Sequence, residues 1–207
     1  MRIFLFLFVV VLLGLTSFQL WMTQDNATSE TVVDEAIGQS EVQIGGPFTL
    51  TDQYGNLVQE SEFRGRLMLV FFGFTHCPDI CPVTVNTLSR VMELLGDKAE
   101  QVAPIFITVD PKRDTPDVMK AFLENFDKRL VGLTGSAEDI AKVEAVYKAY
   151  AAKVETTEDT NAQPSEEYTM DHSAYIYLMD KNGKYSKIFS YTTPEQDLAR
   201  VVEHALE

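Results

Sequence analysis

Cysteine is scarce in this chain, with only two cysteines among 207 residues. A small domain held together by disulfides would carry more, so that class of scaffold is not expected. The two cysteines, Cys77 and Cys81, are separated by only three residues. Two cysteines this close indicate either a redox pair or two ligands of one metal ion.

Basic residues are also in the minority. Lys and Arg total 17 against 31 Asp and Glu, which gives a net charge of −14. Binding to nucleic acid requires a basic surface that neutralises phosphates, so no nucleic-acid partner is expected. The acidic excess suits solubility or a basic protein partner.

A long apolar run occurs at the N-terminus, from Ile3 to Met22. About 20 helical residues rise roughly 30 Å, enough to cross the hydrocarbon core of a bilayer. Arg2 precedes the run and Asp25 follows it, so the positive end is expected to stay in the cytoplasm. The pattern predicts a single-pass anchor over residues 1–22 in a bacterial cytoplasmic membrane, with the rest of the chain in the periplasm.

A cleaved signal peptide is the alternative interpretation of this run. Cleavage favours small residues three positions and one position before the cut. The pairs Leu15 with Ser17 and Asp25 with Ala27 fit that rule poorly, which favours a retained anchor. Residues 23–41 are polar and acidic and predict a flexible tether.

The residues beyond the tether alternate between strand and helix patterns. Short apolar or alternating runs predict strands at residues 48–50, 57–58, 67–73, 104–109, 130–133, 173–179 and 185–191. Apolar stripes and capping residues predict helices after Cys81-Pro82, from Thr115-Pro116, from Ser136 and from Thr193-Pro194. An acidic segment, residues 155–167, predicts a mobile loop. Strands that alternate with helices indicate an α/β fold with a mixed central sheet flanked by helices.

The most informative stretch runs from Gly73 to Pro82 and holds both cysteines. It lies between a predicted buried strand and a helix N-terminus, where the helix dipole and unpaired N–H groups favour thiolate over thiol. Redox motifs of the thioredoxin type have two residues between their cysteines, whereas this pair has three. Disulfide exchange and metal binding both remain open at this spacing, and soft sulfur ligands suit copper(I) or zinc.

Two thiolates leave a metal ion under-coordinated, so a histidine is the obvious third donor. His204 lies among acidic residues of the last predicted helix and is expected on the surface. His76 adjoins Cys77 directly, and neighbouring side chains seldom converge on one point. His172 lies between the acidic loop and a predicted strand. From the residues alone it is equally well explained as a ligand or as an ordinary loop histidine.

Three runs together resemble the SCO/SenC family. They are the cysteine run Cys77–Pro82, the run Asp110–Pro116, and Asp171–Ser173 followed by Tyr177–Asp180. The order of these runs on the strand pattern is specific, and the resemblance extends over roughly residues 42–206. A lone pair of cysteines at this spacing would not be specific.

The resemblance implies that residues 42–207 form a thioredoxin-like copper-binding domain. Cys77 and Cys81 match the copper-binding cysteines of the family, and His172 matches its copper-binding histidine. The implied function is a metallochaperone that binds Cu(I) or Cu(II) and helps to assemble the binuclear copper centre of cytochrome c oxidase. The implied partners are the oxidase subunit that holds this centre, and another periplasmic copper chaperone or thiol reductase.

Two enzymatic hypotheses are alternatives to the metallochaperone. The protein would be a periplasmic thiol–disulfide oxidoreductase or a thiol peroxidase, in either case acting through the cysteines without metal. A redox function does not need His172, whereas a copper site with two sulfurs and one nitrogen does. The run from Asp110 to Pro116 is interpreted as structural, namely a strand end, a turn and a capped helix. Asp79 is either a partner contact or a solvated turn residue, and Asp171 is a candidate hydrogen-bond partner for the histidine ring.

Overall fold

The computed structural model describes residues 43–155 and 168–207. Within these two ranges no helix is both long and apolar enough to cross a membrane. The predicted anchor at 1–22 and tether at 23–41 lie outside the described residues, as do residues 156–167 of the predicted acidic loop.

The described ranges contain nine strands and four α-helices. The strands are β1 (Thr49–Asp52), β2 (Leu57–Gln59), β3 (Leu67–Gly73), β4 (Val102–Thr108), β5 (Val131–Thr134), β6 (Ala151–Glu155), β7 (Tyr168–His172), β8 (Tyr175–Met179) and β9 (Tyr185–Ser190). The helices are α1 (Ile80–Leu95), α2 (Pro116–Leu123), α3 (Ala137–Tyr147) and α4 (Glu195–Leu206).

Seven strands form one mixed sheet in the order β2-β1-β5-β4-β3-β8-β9. Strands β3, β4 and β5 are parallel to one another, whereas β1, β2, β8 and β9 pair in antiparallel fashion. Among the strands of residues 43–155 and 168–207, β6 and β7 pair only with each other, as a separate antiparallel ribbon. The predicted α/β class with a mixed central sheet is therefore confirmed.

The centre of the sheet accounts for most of the core. Every residue of β3 and β4 is buried, which explains their continuous apolar sequences, since both faces of these strands are covered. Their register pairs Gly73 with Thr108. The loops that follow β3 and β4 therefore leave the same edge of the sheet, and they build the site described below.

Two predicted helix caps are present, and the predicted cap of the last helix is wrong. Thr115 Oγ1 accepts a hydrogen bond from Val118 N at 3.4 Å, and Ser136 Oγ accepts one from Asp139 N at 3.1 Å. Helix α4 instead begins after Pro194, which has no side chain able to cap it. The backbone N–H groups of Asp197 and Leu198 bond to the Pro194 carbonyl, so the backbone itself closes this turn.

The main correction to the fold is a pair of strands, β6 and β7, that the sequence did not predict on either side of the acidic segment. His172 is the last residue of β7 and pairs with Ala151 of β6. Both strands are only five residues long and none of their described side chains is buried, so the apolar run that marks a core strand is missing. The following strand β8 begins at Tyr175 rather than at Ser173.

Candidate metal and thiol site

Cys77 and Cys81 lie where the chain passes from β3 into α1. Helix α1 begins at Ile80, one residue before Cys81, rather than after Pro82 as predicted. Pro82 is tolerated there because N–H groups in the first helical turn have no intrahelical partner. Both cysteines are free thiols, Cys77 half-buried and Cys81 completely buried. The two sulfurs therefore differ in their access to solvent.

His172 is brought against the buried cysteine. Its Nε2 lies 3.4 Å from Cys81 Sγ, and its Nδ1 lies 3.1 Å from the carbonyl oxygen of Ser173. A carbonyl only accepts, so Nδ1 carries the proton and donates this bond. In the neutral ring Nε2 is then left with its lone pair directed at the cysteine. This is the tautomer that a metal-binding Nε2 requires.

Two phenylalanines enclose the imidazole. The ring of Phe71 lies 6.1 Å from that of His172, and the ring of Phe74 lies 5.8 Å away, both in edge-to-face geometry. Phe71 belongs to β3, and Phe74 follows the end of that strand. These edge-to-face contacts favour the observed orientation of the ring.

Burial keeps the histidine neutral. It lowers the pKa of His172 from its ordinary value of 6.5, and the hydrogen bond to Ser173 and the charge of Asp171 offset the effect only in part. A buried imidazole loses the hydration that stabilises its charged form. At neutral pH, therefore, His172 is a neutral donor, as metal binding requires.

Burial raises the pKa of the neighbouring Cys81 thiol, whereas it lowers that of His172. It raises the pKa of Cys81 far above the usual range, and the nearby Cys77 raises it further, while a backbone hydrogen bond from Phe74 acts in the other direction. The helix N-terminus was expected to favour thiolate here, whereas the loss of hydration at this completely buried sulfur favours the thiol. Cys81 is thus a thiol at neutral pH, and a cation that binds it must displace its proton.

The donor set fits a soft metal ion, although its members do not yet surround one point. Nowhere in residues 43–155 and 168–207 do three His, Cys, Asp or Glu side chains stand close enough together to hold a metal ion. Cys81 and His172 are already paired, and Cys77 is near enough to influence the pKa of Cys81. Binding through all three donors therefore requires them to come closer together than they stand in this structure. Two sulfurs and an imidazole nitrogen are donors typical of copper.

The other two histidines lie away from this pair. His76 Nδ1 is 3.0 Å from Thr75 Oγ1 and 3.6 Å from Asp114 Oδ1. His204 lies 3.3 Å from Glu207, with its side chain 87% exposed. The surface position expected for His204 is observed.

The three acidic residues considered in the sequence, Asp79, Asp110 and Asp171, differ in exposure and in hydrogen bonding. Asp79 is exposed and makes no capping hydrogen bond through its side chain. Asp171 does not orient the histidine by hydrogen bonding, because the Ser173 carbonyl takes the Nδ1 proton. Asp110 is 3% exposed and bonded to two other side chains, consistent with the structural role predicted for its run.

Asp114, which was not singled out from the sequence, fixes the cysteine loop to the sheet. Asp114 is completely buried. Its carboxylate accepts hydrogen bonds from Thr75 N at 3.0 Å, Thr75 Oγ1 at 2.5 Å and Thr108 Oγ1 at 2.6 Å. It thereby ties the segment before Cys77 to the end of β4. Its place within the Asp110–Pro116 run was the available signal, but nothing in the spacing showed that its partner would be Thr75.

The fold and the site define a class of protein. A thioredoxin-like mixed sheet carries the thiols of Cys77 and Cys81 between β3 and α1. The ribbon of β6 and β7 places the imidazole of His172 beside Cys81. The family model described as SCO1/SenC matches residues 37–207. The chain belongs to the SCO1/SenC family, which confirms the resemblance stated from its motifs.

Individual relatives agree with this assignment. A SCO2-like protein of Rickettsia prowazekii is 42% identical over 153 residues, which cover 74% of this chain and 72% of the relative. The structure of Bradyrhizobium japonicum ScoI with copper bound is 44% identical, with a TM-score of 0.71, and covers 78% of this chain and 99% of that one.

A third relative is described in terms of redox chemistry. BsSco, a member of the Sco family of cytochrome c oxidase assembly proteins in which a disulfide switch was identified, is 25% identical to this chain. It matches with a TM-score of 0.62 over 81% of this chain and 96% of BsSco.

Proposed function

We propose that this chain is a copper-binding protein that assists the assembly of cytochrome c oxidase. The observation that carries the proposal is the pairing of Cys81 Sγ with His172 Nε2 at 3.4 Å, with the ring neutral and its lone pair facing the sulfur. Copper-bound ScoI has the same fold at 44% identity, which supports copper as the ion.

The proposed ligands are Cys77, Cys81 and His172. Sulfur donors stabilise Cu(I), and an imidazole donor serves both Cu(I) and Cu(II). Cys81 and His172 supply a preformed, enclosed half of the site, while the partly exposed Cys77 closes it. A site of three protein donors leaves room for a sulfur of the receiving protein, so copper can pass between proteins without being released into solution.

The proposed client is the oxidase subunit that holds the binuclear copper centre, and the proposed location is the periplasmic face of the cytoplasmic membrane. The apolar run Ile3–Met22 supports a single-pass anchor. Such an anchor would keep the domain within reach of a membrane-bound client. A second periplasmic copper chaperone or a thiol reductase is the proposed source of copper or electrons.

Thiol–disulfide exchange by the same cysteines is a second candidate function. The half-buried Cys77 is accessible to a partner, and the buried Cys81 lies close to it, an arrangement that suits attack by one thiol and resolution by the other. The disulfide switch of BsSco supports this candidate. Disulfide exchange needs no third donor, so substitution of His172 distinguishes the two functions.

Complementation of a deletion strain tests the proposal. The full-length wild-type gene is expected to restore copper-dependent oxidase activity in copper-poor medium, whereas Cys77→Ser, Cys81→Ser and His172→Ala are expected to fail. His204→Ala is the matched control, because it removes a histidine that lies on the surface beside Glu207.

Two results would decide against the copper proposal. Full complementation by His172→Ala, with both cysteine variants inactive, would favour thiol exchange. Full oxidase activity in the deletion strain in copper-poor medium would remove the assembly role altogether.

A further inference from the structure

Arg113 contacts both halves of the proposed copper site, although it supplies no ligand. Its guanidinium carbon lies 5.8 Å from the centre of the Phe74 ring and 3.8 Å from that of Tyr168. Its Nη1 donates a hydrogen bond to the Tyr168 carbonyl at 2.9 Å. Phe74 belongs to the segment that leads to the cysteines, and Tyr168 begins the strand that ends at His172. A single planar cation therefore joins the cysteine segment to the ribbon.

Asp110 binds both Arg113 and Tyr168 through its carboxylate. One of its carboxylate oxygens is ion-paired with Arg113 Nε, and the other accepts a hydrogen bond from the Tyr168 hydroxyl at 2.7 Å. Its side chain is only 4% exposed and that of Arg113 21%, so solvent screens the pair weakly. Lys153 of the facing strand lies over the same Tyr168 ring, at 4.5 Å.

The contacts continue from Arg113 to the histidine ring. Phe74 packs edge-to-face on His172 at 5.8 Å, so the aromatic ring that Arg113 covers is also a wall of the imidazole pocket. At the other end of the ribbon, Ser173 N donates to the Tyr150 carbonyl at 2.9 Å, and Tyr150 N donates to Ser173 Oγ at 3.0 Å. These two bonds close the base of the ribbon, where Tyr150 and Ser173 connect it to the domain, and Arg113 and Asp110 hold it near Tyr168.

We propose that Arg113, Asp110 and Tyr168 form a clasp that positions His172 over Cys81, and that Arg113 is a positioning residue for copper binding. Without the clasp, the ribbon loses its contacts with Arg113 and Asp110 at the Tyr168 end, and the imidazole can leave the sulfur. The proposal rests on the proposed function for its effect on copper, but the contacts that define the clasp exist in the metal-free protein.

Arg113→Lys is the most selective test of the clasp. Lysine keeps the positive charge and loses the planar fork, so it cannot both stack on Tyr168 and bond its carbonyl in the same way. The matched control is Arg129→Lys, since Arg129 is likewise ion-paired, with Asp127 at 2.6 Å and Glu100 at 3.6 Å. Tyr168→Phe adds a milder variant that keeps the ring and removes only the bond to Asp110.

The first measurement is amide hydrogen exchange of the metal-free, full-length protein. Arg113→Lys is expected to accelerate exchange in β6 and β7 while leaving β3 and β4 unchanged, and Arg129→Lys is expected to leave the ribbon as in wild type. Unchanged exchange in the ribbon of Arg113→Lys would overturn the clasp. This result does not depend on copper, so it separates failure of the clasp from failure of the proposed function.

The second measurement is Cu(I) affinity in competition with a chelator. Groups that orient a metal-binding histidine typically change affinity about 10- to 100-fold, and a loss in this range is expected for Arg113→Lys. In a His172→Ala background the same substitution is expected to change affinity less than about twofold, because residues that act through one group are not additive. An equal loss in both backgrounds would show that Arg113 does not act through His172 and would overturn the proposal.

Discussion

At the scale of single residues, burial decides the chemistry of the two preformed donors. Cys81 lies in the first turn of α1, where the helix dipole favours a thiolate, yet its pKa is raised because the sulfur is cut off from water. The same lack of water lowers the pKa of His172. The metal-free pair is therefore a thiol and a neutral imidazole, with no net charge buried.

The cysteines are expected to differ in reactivity. Cys81 is completely buried and protonated at neutral pH, whereas Cys77 is half-buried and reaches solvent. Because the thiolate is the nucleophile, iodoacetamide is expected to modify Cys77 well before Cys81 in the metal-free protein. Peptide mapping by mass spectrometry over a time course measures this order, and denatured protein serves as the control in which both react. Faster modification of Cys81 in the native protein would contradict the burial described here.

Acid is expected to weaken the fold through His172. The unfolded chain binds a proton at this residue near pH 6.5, whereas burial lowers the folded-state pKa. As the pH falls below about 6.5 the unfolded state takes up the proton first, so the free energy of unfolding decreases. Urea unfolding of wild type and His172→Gln at several pH values isolates this contribution, and the wild type is expected to lose more stability on acidification. Parallel curves for the two proteins would contradict a lowered pKa.

At the scale of elements, the parallel pairing of β3 with β4 creates the site. It places the segment of Phe74 and the cysteines beside the run from Asp110 to Asp114 at one sheet edge. Gly73 ends β3 directly beneath Cys81: a Cβ there would lie 2.9 Å from Cys81 Sγ and 2.9 Å from the Phe106 ring. The absence of a side chain at Gly73 therefore allows the buried sulfur to occupy its position.

Gly73→Ala tests this close contact. Adding a methyl group to a filled core typically costs about 1–3 kcal/mol, and a loss of unfolding free energy in this range is expected together with weaker copper binding. Urea denaturation measures the stability. Gly46→Ala is the control, since a Cβ at Gly46 would meet its nearest neighbour, Val146, at an ordinary 3.6 Å. Equal effects of the two substitutions would contradict the role given to Gly73.

The central strands of the sheet could be predicted from the sequence. Strands β3 and β4 are buried along their whole length, so their apolar runs are unambiguous. The ribbon of β6 and β7 was not predicted, because it is held by backbone pairing and has no fully buried apolar face to mark it in the sequence. Family motifs supplied His172 as a candidate, but only the folded chain shows its approach to Cys81 and the hydrogen bond that selects its tautomer. The clasp could not be foreseen either, since it joins Arg113 to a residue 55 positions away.

At the scale of the whole molecule, an acidic domain follows an apolar N-terminal run in the sequence. The net charge of −14 disfavours close approach to anionic lipid headgroups, so membrane attachment is expected to depend on the run Ile3–Met22 rather than on the surface of the domain. The same charge favours a client with a basic docking surface.

Membrane retention is therefore expected of the full-length protein. After cell fractionation it should remain in the membrane fraction through a high-salt wash, because salt weakens ion pairing but does not release an apolar run of this length from a bilayer. Replacing residues 1–22 with a cleavable signal peptide should release the domain into the periplasm. A soluble mature wild-type protein whose N-terminus lies beyond residue 22 would contradict the anchor.

We expect Cys77, Cys81 and His172 to hold one copper ion together. X-ray absorption at the copper edge of the Cu(I)-loaded, full-length protein tests it most directly, because sulfur and nitrogen scatter at separate distances, about 2.3 and 2.0 Å from a metal of this size. Two sulfur neighbours and one nitrogen neighbour are expected in wild type and in His204→Ala, with the nitrogen lost in His172→Ala and one sulfur lost in Cys77→Ser. An unchanged nitrogen shell in His172→Ala would contradict the account.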